Sequence, residues 1–164
     1  MYLLDSNVFI QAKNGPYGLD FAPGFWSWIE EAHEAGRVFT VARVIDELKA
    51  GADELADWVE DLPSSFALGV DAASAKSLTK LSQWATTQPN YVPAAVAEFL
   101  SVADYFLVAQ AHALGYTVVT HEQPRPDSRK KIMIPDACIG MKVRWMDPWQ
   151  MLRDEGAKFV LAGG

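Results

Sequence analysis

Short unbroken apolar runs alternate along this chain with longer stretches of helical spacing, the pattern of strands and helices taken in turn. Tyr2-Leu3-Leu4 is the first such run. It meets Asp5-Ser6-Asn7 and then Val8, Phe9 and Ile10, so a buried strand is expected to turn at once into a helix reaching about Lys13. Turn formers fill Asn14 to Gly18, and Pro23 suits the first turn of a second helix, on which Phe25, Trp26, Ile29, Ala32 and His33 recur at helical spacing. Gly36 is placed to end that helix in a left-handed cap. Arg37 to Val41, rich in β-branched and aromatic residues, reads as a second strand, and Val41, Val44, Ile45 and Leu48 share one face of the helix that follows.

Two further helices are expected over 53–62 and 71–86, with a short strand at Phe66-Ala67-Leu68 between them. Pro93 to Leu100 reads as a short apolar helix. The stretch from Ser101 to Gly115 is longer, and its apolar residues run almost all the way round, which predicts burial on several sides. Tyr116-Thr117-Val118-Val119 then forms a strand ending at Thr120-His121-Glu122, so helix, glycine, strand and acidic residue follow one another as in an αβ unit of a parallel sheet. Pro135 to Gly140 suits a helical turn, Lys142 to Met146 a last strand, and Asp147-Pro148 opens a terminal helix with Asp147 as its cap. There is no internal repeat; one domain is expected over residues 1–160, with 161–164 frayed.

At 164 residues, 50% hydrophobic and 21% charged, the chain carries enough apolar material for one domain with a substantial core. Its net charge of −7 argues against gripping nucleic acid through overall positive charge; a polyanionic substrate would need a local basic patch or bound cations. Arg125, Arg129, Lys130 and Lys131 form such a patch beside Glu122, for which a solvated loop is the plainer account. The single cysteine, Cys138, allows neither an internal disulfide nor a multi-cysteine zinc site. With no bilayer-spanning run and no secretory signal, a cytoplasmic protein is expected.

Carboxylates carry the candidate chemistry. Asp5 is expected at the carboxyl end of a strand, where open α/β sheets bind ligands, although capping of the next helix by Asp5 or Ser6 accounts for that residue alone more simply. Asp104 lies in an apolar surround, where an ionised carboxylate must be paired, capped, protonated or metal-bound; a capping box with Ser101 competes. Glu122 arrives at a second strand end. Asp46 and Glu47 flank their helix face on opposite sides, periodicity does not choose between them, and Glu47 paired with Arg43 on the surface is the plain reading. His121 is a weak candidate for a general base. Brought to one sheet edge, several carboxylates cannot all ionise without a counter-charge. Mg²⁺ or Mn²⁺ would supply it, and such ions activate water and stabilise the oxygens of a phosphodiester being cut. The glycine motifs of triphosphatases, dinucleotide enzymes and serine hydrolases are missing, and Asn7 stands where an aspartyl-phosphate phosphatase would carry its second Asp.

Leu3-Leu4-Asp5-Ser6-Asn7-Val8-Phe9, Glu47-Leu48, Ala103-Asp104 and Val118-Val119-Thr120-His121-Glu122 resemble, in that order, the motifs of PIN-domain ribonucleases, including the VapC toxins of bacterial toxin–antitoxin pairs. The resemblance spans roughly the whole chain. It is closest to a little-characterised PIN-like branch sharing Val119-Thr120-His121-Glu122 and Ile134-Pro135-Asp136-Ala137-Cys138. It implies a three-layer α/β/α sandwich with a five-stranded parallel sheet, and RNA cleavage with Mg²⁺ or Mn²⁺. By position Asp5, Glu47, Asp104 and Glu122 match the family's metal-binding acids, Asn7 and Thr120 its accessory polar residues, and Glu47 is preferred over Asp46. One departure is Glu122, where the family usually carries Asp. A metal-dependent endoribonuclease acting as a toxin, with an antitoxin partner and a homodimeric state, is the leading expectation. The alternatives are an inactive PIN-like module that binds protein, using Phe25 to Trp28 as an interface, and a DNA-directed nuclease of the same metal chemistry.

Overall fold

Five short strands, β1 (Tyr2–Leu4), β2 (Val38–Val41), β3 (Ala67–Leu68), β4 (Thr117–Val119) and β5 (Trp145–Met146), form one parallel sheet in the order β3-β2-β1-β4-β5. The computed structural model describes residues 1–160, so the tail 161–164 lies outside the described residues. Helices α1 (Ser6–Asn14), α2 (Pro23–Glu34), α3 (Ala42–Ala50), α4 (Glu54–Asp61), α5 (Ala72–Thr87), α6 (Pro93–Ser101), α7 (Ala103–Leu114), α8 (Ile134–Met141) and α9 (Pro148–Asp154) flank the sheet in a three-layer α/β/α sandwich. Leu3, Leu4, Val118 and Val119 are fully buried, as strands covered on both faces must be. Among the described residues no single helix is long and apolar enough to cross a membrane.

Strand order decides where chemistry belongs. From β1 the chain steps outward to β2 and β3, then returns to lay β4 on the other side of β1 and β5 beyond it. The order therefore reverses between β1 and β4, and ligands of open α/β sheets bind in the crevice beyond such a reversal. Leu4 pairs with Val119, so the next residues, Asp5 and Thr120, leave the sheet side by side.

Local chemistry sets most element ends. Asp53, Asp71 and Asp147 each accept a backbone N–H from the first turn of α4, α5 and α9, while Gly36 and Gly115 take the left-handed conformation (φ +70°) that lets a chain leave a helix. One boundary departs from expectation. Ser101 is the last residue of α6, its Oγ donating to the Glu98 carbonyl at 2.7 Å, and Val102 is extended before α7 begins at Ala103. The two helices meet at a 70° bend, which turns α7 into the core and buries Leu107 through Ala111. Ser101 therefore caps nothing, and Asp104 belongs to no capping box.

The aromatic stretch of α2 is core: Phe25 and Trp26 are buried, and Trp26 meets Trp58 edge-on at 4.8 Å. His33, read as a helix-face residue, is buried between the Val38 carbonyl and the Ser65 hydroxyl, at 3.0 and 2.9 Å. Close packing also selects Gly140 on α8, because a Cβ there would lie 2.2 Å from the Trp84 indole. Gly140→Ala is expected to destabilise the fold by about 1–3 kcal/mol in urea unfolding, since two bulky helices would have to separate.

Candidate functional site

At the crevice, Asp5 occupies the N-cap position of α1 without capping it. Its carboxylate is 3% exposed and turns instead toward β4, where the Thr120 hydroxyl donates to Oδ2 at 2.8 Å; the Ser6 hydroxyl lies 3.4 Å from Oδ1. Thr120 is fully buried, and its Oγ1 also accepts the Asn7 side-chain N–H and the Glu122 backbone N–H, each at 3.1 Å. A hydroxyl has one proton and two lone pairs, so every bond Thr120 can make is made. The Asn7 carbonyl takes the His121 backbone N–H at 3.1 Å, closing a network that joins the end of β1 to the end of β4. Asn7 and Thr120, the two accessory positions, thus hold Asp5 in place.

Asp104 reaches the same place from the first turn of α7. With Glu47 of α3, Glu98 of α6 and Lys131 it lines a cleft of about 190 Å³. Burial pushes the Asp104 carboxyl up to about 7; the charges of Asp5, Glu122 and Glu47 add to the rise and Lys131 opposes it. Asp5 is pushed up to about 6, again by burial first, with Glu122 and Glu47 adding to it and the Thr120 hydrogen bond opposing. Glu47 and Glu122 therefore both act through space on Asp5 and Asp104. Glu47 is exposed and has no hydrogen-bond or ion-pair partner among the described residues; Arg43, its expected partner, lies instead over the Phe106 ring at 4.8 Å.

Glu122 is held differently. Lys131 Nζ donates to one oxygen at 2.8 Å and the Ile134 backbone N–H, at the start of α8, donates to the other at 2.8 Å. Of the basic run, Lys131 thereby serves the acidic cluster, whereas the side chains of Arg125, Arg129 and Lys130 stay exposed. The Arg125 backbone N–H is anchored on Asp136, at 2.9 and 3.2 Å to its two oxygens. Among the described residues no three His, Cys, Asp or Glu side chains converge into a ready cation cage. The donor set nonetheless fits one hard divalent ion, because Asp5, Asp104 and the unpaired Glu47 offer only oxygen and repel one another. Glu122 takes one donor on each of its oxygens, and each oxygen keeps a second lone pair. Glu122→Ala should lower stability in urea unfolding by about 1–3 kcal/mol by stranding the Ile134 N–H, and Glu122→Gln, whose amide offers a single accepting oxygen, should restore only the part owed to one of the two donors.

A family model described as "Domain of unknown function (DUF4411)" matches residues 2–159. The chain belongs to the DUF4411 family. Two solved structures share the fold of this DUF4411 chain: FitAB bound to an IR36 DNA fragment (18% identity, TM-score 0.56, 91% of this chain and 96% of that one) and FitAcB from Neisseria gonorrhoeae (20%, 0.57, 91% and 99%). Their likeness supports a PIN-like fold. No curated protein matches the sequence. Sequence reading of this DUF4411 chain missed Glu98 and the pairing of Lys131 with Glu122. Glu98 is an exposed helix carboxylate in sequence, and only the bend between α6 and α7 brings it beside Asp104.

Proposed function

We propose that this protein is a metal-dependent endoribonuclease using Mg²⁺ or Mn²⁺, the toxin of a toxin–antitoxin pair. The observation that carries the reading is the meeting of Asp5 and Asp104 from separate elements, both buried enough to rise to about 6 and about 7, with no cation in contact with Asp5 among the described residues. Such an arrangement is unfavourable for a fold and useful for chemistry. The order of the four acidic motifs and the PIN-like fold support the same conclusion.

In this reading Asp5 and Asp104 are the principal ligands and Glu47, exposed on α3, completes the set. Asn7 and Thr120 keep the Asp5 carboxylate turned toward the crevice rather than toward the N–H groups of α1. Glu122 contributes negative charge and orients Lys131, whose ammonium borders the cleft where a phosphate would lie. Arg125, Arg129 and Lys130 steer the RNA backbone toward an otherwise acidic protein. When bound, the cation neutralises the carboxylates, activates water and stabilises the oxygens of the cleaved bond. An antitoxin protein partner, a homodimeric state and action in the cytoplasm belong to the same proposal.

Incubating a mixed RNA pool and a matching single-stranded DNA pool with the purified protein tests it. RNA cleavage with Mn²⁺ or Mg²⁺, lost on adding EDTA, is expected, with the DNA left whole. Preferred cleavage of DNA would move the chain to the DNA-directed class. Cleavage of neither would leave a PIN-like module that acts by binding protein.

A further inference from the structure

Among the described residues Lys131 is the only cation lining the cleft that Glu47, Glu98 and Asp104 border. Its place is set by the chain around it. The Lys131 backbone N–H donates to the Ser128 hydroxyl at 3.2 Å, that hydroxyl donates to the Lys131 carbonyl at 2.7 Å, and the next residue, Ile132, is buried. The side chains of Arg125, Arg129 and Lys130 are exposed and take part in no ion pair among the described residues. Lys131 is therefore set apart from the rest of the basic run.

An ammonium carries three N–H donors, and Glu122 takes one of them at 2.8 Å. The others have no protein acceptor among the described residues, and 53% of the side chain is open to solvent, so an anionic oxygen can be met without giving up Glu122. Hydrogen bonding to Glu122, followed by the charges of Glu122, Asp104 and Glu98, holds the Lys131 pKa above the ordinary lysine value, with burial opposing. The ammonium stays charged. Asp104 lies between two influences, the charge of Asp5 that pushes it up and the charge of Lys131 that pulls it down. Positive charge is thus already supplied on the Glu122 side of Asp104, whereas no cation touches Asp5.

Nucleases that use two cations hold them about 3.5–4 Å apart, so that the attacking and the leaving oxygen are both stabilised. We propose that the Lys131 ammonium acts as the second cation of this site, contacting a non-bridging oxygen of the scissile phosphate beside a single divalent ion on Asp5, Asp104 and Glu47. The proposal rests on the ribonuclease reading above, and it makes Lys131 a catalytic residue where Arg125, Arg129 and Lys130 only steer. The covalent change is that of hydrolysis: the water oxygen bonds to phosphorus, the bond from phosphorus to one ribose oxygen breaks, and a water proton ends on that oxygen. Lys131 neither gains nor loses a proton; it stabilises charge as the bond breaks.

Two measurements on the full chain decide it. Isothermal titration with Mn²⁺ in the absence of RNA should give one ion per chain for the parent. Lys131→Met should bind that ion at least as tightly, since the substitution removes a neighbouring positive charge and leaves Asp5, Asp104 and Glu47 in place. With saturating Mn²⁺ and RNA, Lys131→Met should lower kcat by about a hundredfold, the scale of one lost transition-state donor, with the smaller share of the loss in KM. A steering charge would show the reverse, a raised KM with kcat unchanged, and that result overturns the proposal. So does a loss of Mn²⁺ binding in Lys131→Met, which would make the lysine a support for the ion site. Two ions per chain in a parent that cuts RNA would keep the nuclease and remove only the second-cation role. A parent that binds no Mn²⁺ and cuts no RNA removes the nuclease reading itself, and this proposal with it.

Discussion

Asp104→Asn is expected to lower Mn²⁺-dependent RNA cleavage by roughly a thousandfold, the scale on which single essential groups in enzyme sites act. The substitution keeps the shape of the side chain and removes its charge. In the proposed site it leaves Asp5 and Glu47 without a third carboxylate, and the neutral amide oxygen that takes its place is a weaker ligand for a hard cation. Folding should survive, because Asp104 makes no helix cap and its charge is opposed by burial and by three neighbouring acids. Cleavage rates of parent and variant, measured at equal protein and saturating Mn²⁺ after matching their circular dichroism, provide the check. A variant within tenfold of the parent would remove Asp104 from the metal site.

The same substitution should stabilise the metal-free protein, by an amount that grows with pH. In the unfolded chain Asp104 loses its proton near the ordinary Asp value of 3.8, but in the fold the proton is held up to about 7. Between those values the folded state binds more protons than the unfolded state, so the parent loses stability as pH rises through this window. Below it both states are protonated and the group contributes nothing. Above it the full penalty is present, on the order of 2–4 kcal/mol after allowing for relaxation and water. In EDTA, Asp104→Asn should therefore melt close to the parent near pH 4 and roughly 5–10 °C above it at pH 8. Asp5→Asn should follow the same sign over a narrower window ending near 6, moderated by weakening of the Thr120 bond, which would fall on a neutral amide oxygen in place of a carboxylate. Mn²⁺ should raise the melting temperature of the parent at pH 8 and leave Asp104→Asn nearly unchanged, since an ion stabilises only the state that binds it. A pH-independent difference between parent and variant would show that Asp104 is not under electrostatic strain.

The two experiments separate chemistry from architecture. Loss of cleavage with a gain in metal-free stability is the signature of a group kept for function against the preference of the fold. Loss of both would mark Asp104 as structural.

Much of this was legible in one dimension because it depends on neighbours in sequence. Tyr2-Leu3-Leu4 before Asp5-Ser6-Asn7, the glycines at 36 and 115, and Pro23 or Pro148 at helix starts are local signals, and the elements they predict are the elements found. The α/β alternation follows from them, and with it the arrival of Asp5 and Glu122 at strand ends. Resemblance in motif order added the five-stranded sheet and the preference for Glu47.

Tertiary structure decided what those residues do, because partners distant in the chain are invisible to periodicity. Asp5 has the spacing of a helix cap, and only the pairing of Leu4 with Val119 puts Thr120 within 2.8 Å and turns its carboxylate away from α1. Ser101 and Asp104 have the spacing of a capping box, and only the packing of α7 into the core imposes the bend at Val102 that separates them. Glu122 stands in sequence as a fourth ligand, but the return of the chain through Lys131 to Ile134 engages both of its oxygens. Local sequence thus placed the acidic residues on their elements, while the strand order and the contacts across it determined which partners each carboxylate has.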